Sequence, residues 1–570
     1  MMDRNIKKNI EVSSRVLCIG LDGATFDLIK PWIEEGKLPN LKRLLEEGVH
    51  SDLNSVIPPL SPQAWSSFMT GVNPGKHGLF GFKYQKKNKY EFQFTNNNCI
   101  KVKTLWKLLS ERGKKVIAVN VPFTYPPEEI NGIMVSGLGT PGTSVDFTYP
   151  PHFKEEVLKT IHDYTIHLHV WGSLDNADKR EKALKELLKM TDKRIALCKH
   201  LISKYPWDFF MIVFTSIDQV QHHFWKYLES NSNFRNAILS VYEKNDDAIG
   251  SLLKHIDENT TVVIMSDHGA GKFSGIKIHI DEVLKRENLL SLRHSEKQPL
   301  SHLASKLTFH LLNLTRRMKK ILIKTLSTKA KDTILRHLPS ARGKVLSAGL
   351  SAIDWSKTKV YPGENVDFLR VNLKGELPYG IVEPGQNYEE LINLTKTKLE
   401  NLRHPDTGEQ LIEKVYRKED LYHGPYLHEA PDLIVWTKDY QHVIRGDIYQ
   451  HKQGNIISAT TDESDPSGTH RLNGIFIVNG KHIRKKWQIS SANIIDVFPT
   501  ILYMMGCPVP SYTDGKVLTE IFDERYLRDN PISYIELNMD RVGVASGQEI
   551  YTDEEKSQIE THLKNLGYFE

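Results

Sequence analysis

Three aspartates and three histidines stand where a metal ion could gather them. Asp218 and His222 lie four residues apart just after the apolar run FFMIVF (209–214), and a helical turn there aims both side chains the same way. Asp267 and His268 follow TVVIM (261–265) within Ser266-Asp267-His268-Gly269, where the glycine permits a sharp turn or a close backbone approach. Asp22 follows VLCIG (16–20) and again precedes a glycine, Gly23. His470 stands alone in Gly468-Thr469-His470, ahead of the strand-like GIFIVNG (474–480). Taken singly, each has an ordinary structural explanation, since an aspartate at a strand end caps a following helix and a lone histidine is usually exposed or hydrogen-bonded. Together, with no cysteine competing, they are the donor inventory of a two-metal hydrolytic site, and mixed carboxylate and imidazole donors suit zinc or manganese.

A nucleophile is available in Ser61. The segment Pro58-Pro59-Leu60-Ser61-Pro62-Gln63-Ala64-Trp65 reads as a helix start, with Ser61 as N-cap and Pro62 at the first helical position. A helix end favours anions such as phosphate, so capping and nucleophilic roles are compatible there.

The elements that must position these residues follow from the apolar runs. VLCIG, KVIAVNV (115–121), FFMIVF and TVVIM are short and nearly continuous, and helical stretches such as 181–203 and 234–256 separate them. Runs of this kind are buried parallel strands of a wound α/β sheet. In such sheets ligands gather outside the carboxyl ends of the strands, where Asp22, Asp218 and Asp267 stand. The expected architecture is therefore α/β, a central and mostly parallel sheet flanked by helices, with a large inserted cap. The expected division is a first part of the core at 1–275, an inserted cap at 276–465, and the final part of the core with a tail at 466–570.

Within the insertion, residues 294–345 are rich in Lys and Arg. Leu303, Leu307, Leu311, Leu314, Met318, Leu322 and Leu326 recur at helical spacing opposite Arg316, Arg317, Lys319, Lys320 and Lys324. The amphipathic helix predicted at 303–326 reads as a cap helix packed on the core. A basic stripe is also what a helix in peripheral contact with a membrane surface or a partner uses. PDLIVW (431–436) reads as a further strand, and residues 491–505 as a helix ended by Gly506.

Bulk properties narrow the class. The chain has 570 residues, a formal net charge of +5, 39% hydrophobic and 25% charged residues, which is ordinary for a globular protein and too nearly neutral for chain-wide nucleic-acid binding. Cys18, Cys99, Cys198 and Cys507 lie far apart with no CxxC pair, against a zinc ribbon or a disulfide-stapled scaffold. The polar start MMDRNIKKNIEVSSR lacks the apolar stretch of a signal peptide, and no run reaches the roughly 18 apolar residues of a membrane span. The expected setting is reducing and cytoplasmic.

The ordered motifs carry a resemblance. From Asp22 through Ser61 to Thr70-Gly71, Asn73-Pro74-Gly75 and His77-Gly78, the chain resembles the type I phosphodiesterase/nucleotide pyrophosphatase group of the alkaline phosphatase superfamily. It resembles in particular the branch of predicted phosphohydrolases or phosphomutases that reads PP-x-[ST]-x-x-AW and then TG-x-NPG-x-HG. SDHG (266–269), GTHRLNG (468–474) and DVFPTILYMMGCPVP (496–510) extend the similarity from about residue 15 to 520. The resemblance implies an alkaline phosphatase-like fold and two divalent ions, zinc or manganese. It implies that Asp22, Ser61, Asp267 and His268 hold one ion and that Asp218, His222 and His470 hold the other. Ser61 would then attack phosphorus and form a phosphoseryl intermediate.

Phe82 stands where nucleotide pyrophosphatases place the asparagine that holds a phosphoryl oxygen. Lys83, Lys76 and Arg370 are candidates for that task. The segment at Ser61 lacks the Cys/Ser-x-Pro-x-Arg pattern of sulfatases, and Pro62 stands where bacterial alkaline phosphatase carries an arginine. Cofactor-independent phosphoglycerate mutase inserts its second domain between nucleophile and later ligands, whereas here the insertion falls between His268 and His470. The departures from the alkaline phosphatase and mutase patterns favour a phosphodiesterase or nucleotide pyrophosphatase-like hydrolysis over phosphomutase or phosphomonoesterase chemistry. The substrate class is a small phosphate ester or a phosphorylated or nucleotide-linked compound, with no specific nucleic-acid recognition. A function of another class, non-catalytic binding to a membrane or partner through 303–326, needs none of the donor residues.

Overall fold

The computed structural model describes residues 15–168, 174–293, 350, 352–446, 454–460, 465–539 and 549–565. The basic helix expected at 303–326 lies outside the described residues.

One large sheet forms from β1 (Arg15–Leu21), β2 (Val49–Asn54), β3 (Val116–Val119), β4 (Gly132–Val135), β5 (Thr148–Tyr149), β6 (Phe209–Phe214), β7 (Thr260–Met265) and β8 (Asn473–Asn479), of which β1, β3, β6, β7 and β8 are the predicted strands. Their spatial order is β2-β8-β7-β1-β6-β3-β4-β5, with two short strands, Trp487–Gln488 and Ala492–Asn493, beside β2. β7, β1, β6, β3 and β4 run parallel, while β8 is antiparallel to both β7 and β2. The three central runs are completely buried because helices cover both faces of the sheet.

Alternation along β1 divides the core into two layers. Leu17, Ile19 and Leu21 join one apolar cluster, which includes Ala183, Leu187 and Leu201 of the long helix Ala177–Lys204. Val16 and Cys18 join the other, with Trp65 and Phe68 of the helix Ser61–Thr70 and Val497 and Phe498 of the helix Ile494–Met504. In chain order we label helices α1 (Ser61–Thr70), α2 (Ala177–Lys204), α3 (Ser216–Phe224), α4 (Ile494–Met504) and α5 (Asp553–Asn565). α2 starts before the expected residue 181 because the Asn176 side chain accepts a hydrogen bond from Lys179 N and caps it.

The insertion builds its own core. Strands Val360–Pro362, Phe368–Val371, Leu433–Thr437 and Ile412–Arg417 form an antiparallel sheet in that spatial order, and the helix Gln386–Glu400 packs on it. This cap docks on the loop around α1. Tyr422 Oη donates to Ile57 O at 2.7 Å, Phe82 N donates to Asn365 Oδ1 at 3.3 Å, and Tyr426 N donates to Gly75 O at 2.9 Å. The cap is thereby fixed beside the serine-bearing helix. Among the described residues no helix is long and apolar enough to cross a membrane.

Candidate active site

The carboxyl ends of β1, β6 and β7 are neighbours in the sheet, so Asp22, Asp218 and Asp267 meet at one edge. Chain order supplies the rest. α3 begins directly after β6 and turns Asp218 and His222 to the same side. The two-stranded antiparallel ladder that pairs Gly269–Lys272 with Gly468–Arg471 sets His470 opposite Ala270 and carries it back to His268. Ser61 is the first residue of α1, not its cap; Leu60 has the extended cap conformation, and no side chain caps the helix. The Ser61 hydroxyl instead lies 3.3 Å from His268 Nε2.

Two groups of donor atoms result. Asp218 Oδ1, His222 Nε2 and His470 Nε2 stand 3.1, 3.3 and 3.5 Å from one another. Around the second group, His268 Nε2 lies 3.4 Å from Asp267 Oδ2 and 3.8 Å from Asp22 Oδ1. Four donors about 2.0–2.1 Å from a tetrahedral zinc are about 3.3 Å apart, so both spacings fit. His268 is also within reach of Asp218 and His470, and its ring stacks on that of His470 with centroids 3.7 Å apart.

The histidine tautomers follow from carbonyls, which can only accept. Nδ1 of His268 faces Gly269 O at 2.9 Å, Nδ1 of His222 faces Gly468 O at 3.2 Å, and Nδ1 of His470 faces Pro59 O at 2.8 Å. Each Nδ1 therefore carries a proton that it donates, and each neutral ring turns an Nε2 lone pair inward. Two such lone pairs, on His222 and His470, face each other at 3.1 Å, an arrangement that a shared cation makes favourable. Asp22 Oδ1 and Asp267 Oδ2 are buried with no hydrogen-bond partner of normal geometry. A buried oxygen left so is costly unless a cation meets it. These residues fit divalent metal ions.

Electrostatics points the same way. Burial, then the charges of Asp267 and Asp218, holds the Asp22 carboxyl well above the usual carboxylate range. Burial and the Asp218 charge push Asp267 up to about 7. Burial would also raise Asp218, but His222 and His470 outweigh it and hold this carboxyl well below the usual range. Burial lowers His268 and His470, which keeps their lone pairs open. Three carboxylates this close need added positive charge before all of them ionise.

Supporting contacts orient the donors. Trp65 Nε1 donates to Asp22 Oδ2 at 3.2 Å, and Gly23 N donates to Asp267 Oδ1 at 3.3 Å. Gln221 Nε2 holds Gly23 O at 2.9 Å, and Tyr242 Oη donates to Gln221 Oε1 at 3.1 Å. Gly23 has φ +71°, and a Cβ there would sit 3.0 Å from Asp218 Oδ1. Gly23→Ala is expected to cost about 1–3 kcal/mol in stability and to weaken zinc binding, as measured by chemical unfolding and zinc titration.

The three candidate phosphate-gripping cations are engaged elsewhere. Lys76 Nζ donates to Asp514 Oδ1 at 2.5 Å and to Tyr512 O at 2.9 Å. Lys83 Nζ lies 3.6 Å from Glu560 of α5 and over the Phe94 ring. Arg370 spends its fork on Glu364, with both bonds at 2.7 Å. Among the described residues, no lysine or arginine hydrogen-bonds Ser61. Phe82 lines an apolar cavity with Phe94, Phe123 and Leu138, closed by Ile559 and Leu563 of α5.

A wound α/β sheet with a buried acid–imidazole site at its carboxyl edge is the architecture of the alkaline phosphatase class. The sequence profile of the type I phosphodiesterase/nucleotide pyrophosphatase family matches residues 16–471, and the chain belongs to that family of phosphoester hydrolases. A comparison with proteins of curated function finds no match. Among solved structures, the chain is similar to phosphonoacetate hydrolase from Sinorhizobium meliloti 1021, with a TM-score of 0.50, 14% identity, and 85% of this chain and 94% of that chain covered. Human ectonucleotide pyrophosphatase/phosphodiesterase 5 gives a TM-score of 0.46 at 14% identity, with 90% of this chain and 99% of that chain covered. The likeness to the hydrolase is one of fold.

Proposed function

We propose that the chain is a two-metal phosphoester hydrolase in which Ser61 attacks phosphorus and carries the phosphoryl group as phosphoserine. The observation that supports this most strongly is the pair of buried donor groups beside the Ser61 hydroxyl. Asp22, Ser61, Asp267 and His268 would hold one ion, and Asp218, His222 and His470 the other, with zinc or manganese suiting the mixed donors. When bound, two such ions lower the pKa of an oxygen nucleophile and neutralise charge on phosphoryl and leaving oxygens.

The chain's own residues do the rest. Ser61 opens α1, where the unpaired N–H groups of the first turn and the helix dipole favour an incoming anion. Its Oγ bonds to phosphorus as the leaving oxygen departs, and the proton given up by Oγ passes to that leaving oxygen. Water then attacks phosphorus, the Oγ–P bond breaks, and a proton from that water returns to Ser61. The carbonyl of Pro59, two residues before Ser61, accepts from His470 Nδ1 and ties the nucleophile loop to the second donor group.

Diester or pyrophosphate bonds are the favoured substrates. A monoester dianion demands more positive charge at Ser61 than a singly charged diester, and Pro62, Lys76, Lys83 and Arg370 provide none there. The test is turnover of bis-p-nitrophenyl phosphate beside p-nitrophenyl phosphate by protein loaded with zinc or manganese. Faster diester turnover is expected. Faster monoester turnover would move the reading to a monoesterase, and no turnover of either by protein holding two ions per chain would overturn hydrolysis of simple esters.

A further inference from the structure

A buried arginine borders the site and takes no part in the chemistry above. Arg194 of α2 is 2% exposed. Its Nη1 donates to Val213 O at 3.2 Å and to Thr215 Oγ1 at 3.0 Å, and its Nη2 donates to Ile166 O at 3.1 Å. All three acceptors are neutral, and Nε is buried without an acceptor. A guanidinium taken out of water this way is costly unless an anion meets it. Asp22 acts on it through space, but an ion bound at Asp22 would use up that charge.

The surroundings have matching chemistry. Arg194, Thr215 and Gln219 line one cavity with Asp22, Asp218 and His167. Thr215 Oγ1 accepts from Arg194 and also from Gln219 Nε2 at 3.1 Å, so its lone pairs are taken and its own proton is left to donate. A planar cation with a spare N–H beside a hydroxyl with a spare proton is a donor set for a carboxylate or phosphate oxygen.

We propose that Arg194 and Thr215 form an anion subsite beside the metal ligands, taking a carboxylate or phosphate that the substrate carries a few bonds from its reacting phosphorus. This rests on the phosphoester reading and narrows it to substrates with a second negative group. If Arg194 served only to offset Asp22 and Asp218, its loss would affect every phosphate ligand alike.

The test is calorimetric binding of phosphoglycolate and ethyl phosphate to zinc-loaded Ser61→Ala protein. The two ligands share a phosphate ester and differ by a carboxylate. Phosphoglycolate is expected to bind about tenfold tighter or more, the scale of a hydrogen bond to a charged group. Adding Arg194→Met should remove that preference and leave ethyl phosphate affinity and zinc content unchanged. Should the methionine variant not fold, Arg194→Lys and Thr215→Val must each shrink the preference. A preference that survives these changes, or an equal loss for both ligands, overturns the subsite. Equal affinity of the two ligands for the parent protein overturns the subsite alone, whereas no binding of either removes the phosphate-site reading on which it stands.

Discussion

Ser61→Ala is expected to lower turnover of bis-p-nitrophenyl phosphate by on the order of 10⁴-fold or more, the scale seen when a covalent nucleophile is removed. The expectation comes from position. Ser61 Oγ lies 3.3 Å from His268 Nε2, it is buried, and it stands at the start of a helix whose N-terminus favours phosphate. Stability should change little, because the hydroxyl does not cap the helix it opens. Metal content should stay near that of the parent, since Asp22, Asp267 and His268 keep their places. Turnover, thermal melting and bound zinc measured together separate these claims. A folded, zinc-loaded variant with near-parental turnover would exclude Ser61 as nucleophile and leave water as the attacking group.

The central sheet was legible because its strands are buried on both faces and so read as unbroken apolar runs of the right length. VLCIG, FFMIVF and TVVIM became three adjacent strands, and chemistry-bearing residues follow each. Strand direction was less legible. GIFIVNG is as apolar as the others yet runs antiparallel, because the chain returns from the cap through the short strand Gly468–Arg471, paired with Gly269–Lys272, and enters the sheet from the opposite end. The role of Ser61 within α1 was read one position off. The pair Ser-Pro is a common cap signature, but Leu60 adopts the extended cap backbone, and the serine is drawn into the helix with its hydroxyl toward His268.

The donor residues were legible as types at strand ends, whereas their supports were not. Trp65 was visible only as part of an ordered motif, and its bond to Asp22 depends on helix α1 lying across β1. Arg194 carried no local signal. It is one basic residue among several on a long amphipathic helix, and only tertiary packing removes it from water. Lys76, Lys83 and Arg370 carry ion pairs that the sequence does not reveal. Arg370 meets Glu364, six residues before it in the cap, whereas the two lysines, close to Ser61 in sequence, meet Asp514 and Glu560 far along the chain. Long-range pairing of this kind leaves no trace in spacing.

Zinc affinity is expected to fall steeply as pH drops from about 7 to about 5, with protons released on binding. The sign follows from the carboxyls. Asp22 and Asp267 are held above their ordinary range in the metal-free chain, Asp267 at about 7, so below that pH an ion must displace their protons. Burial pulls His222 down but the Asp218 charge outweighs it and raises this imidazole, so at the acid end of the range its Nε2 adds a further proton to be displaced. Calorimetry of zinc binding in buffers of different ionisation enthalpy counts the protons, and Asp267→Asn should release fewer. His470→Ala and Asp218→Asn each break the triangle that Asp218, His222 and His470 form, and each should reduce bound zinc toward one ion per chain. Turnover should then drop by more than the roughly 10–100-fold that loss of an outer-shell partner costs. Unchanged stoichiometry in both variants would remove these residues from the second ion, and pH-independent affinity would show that Asp22 and Asp267 are already ionised without metal.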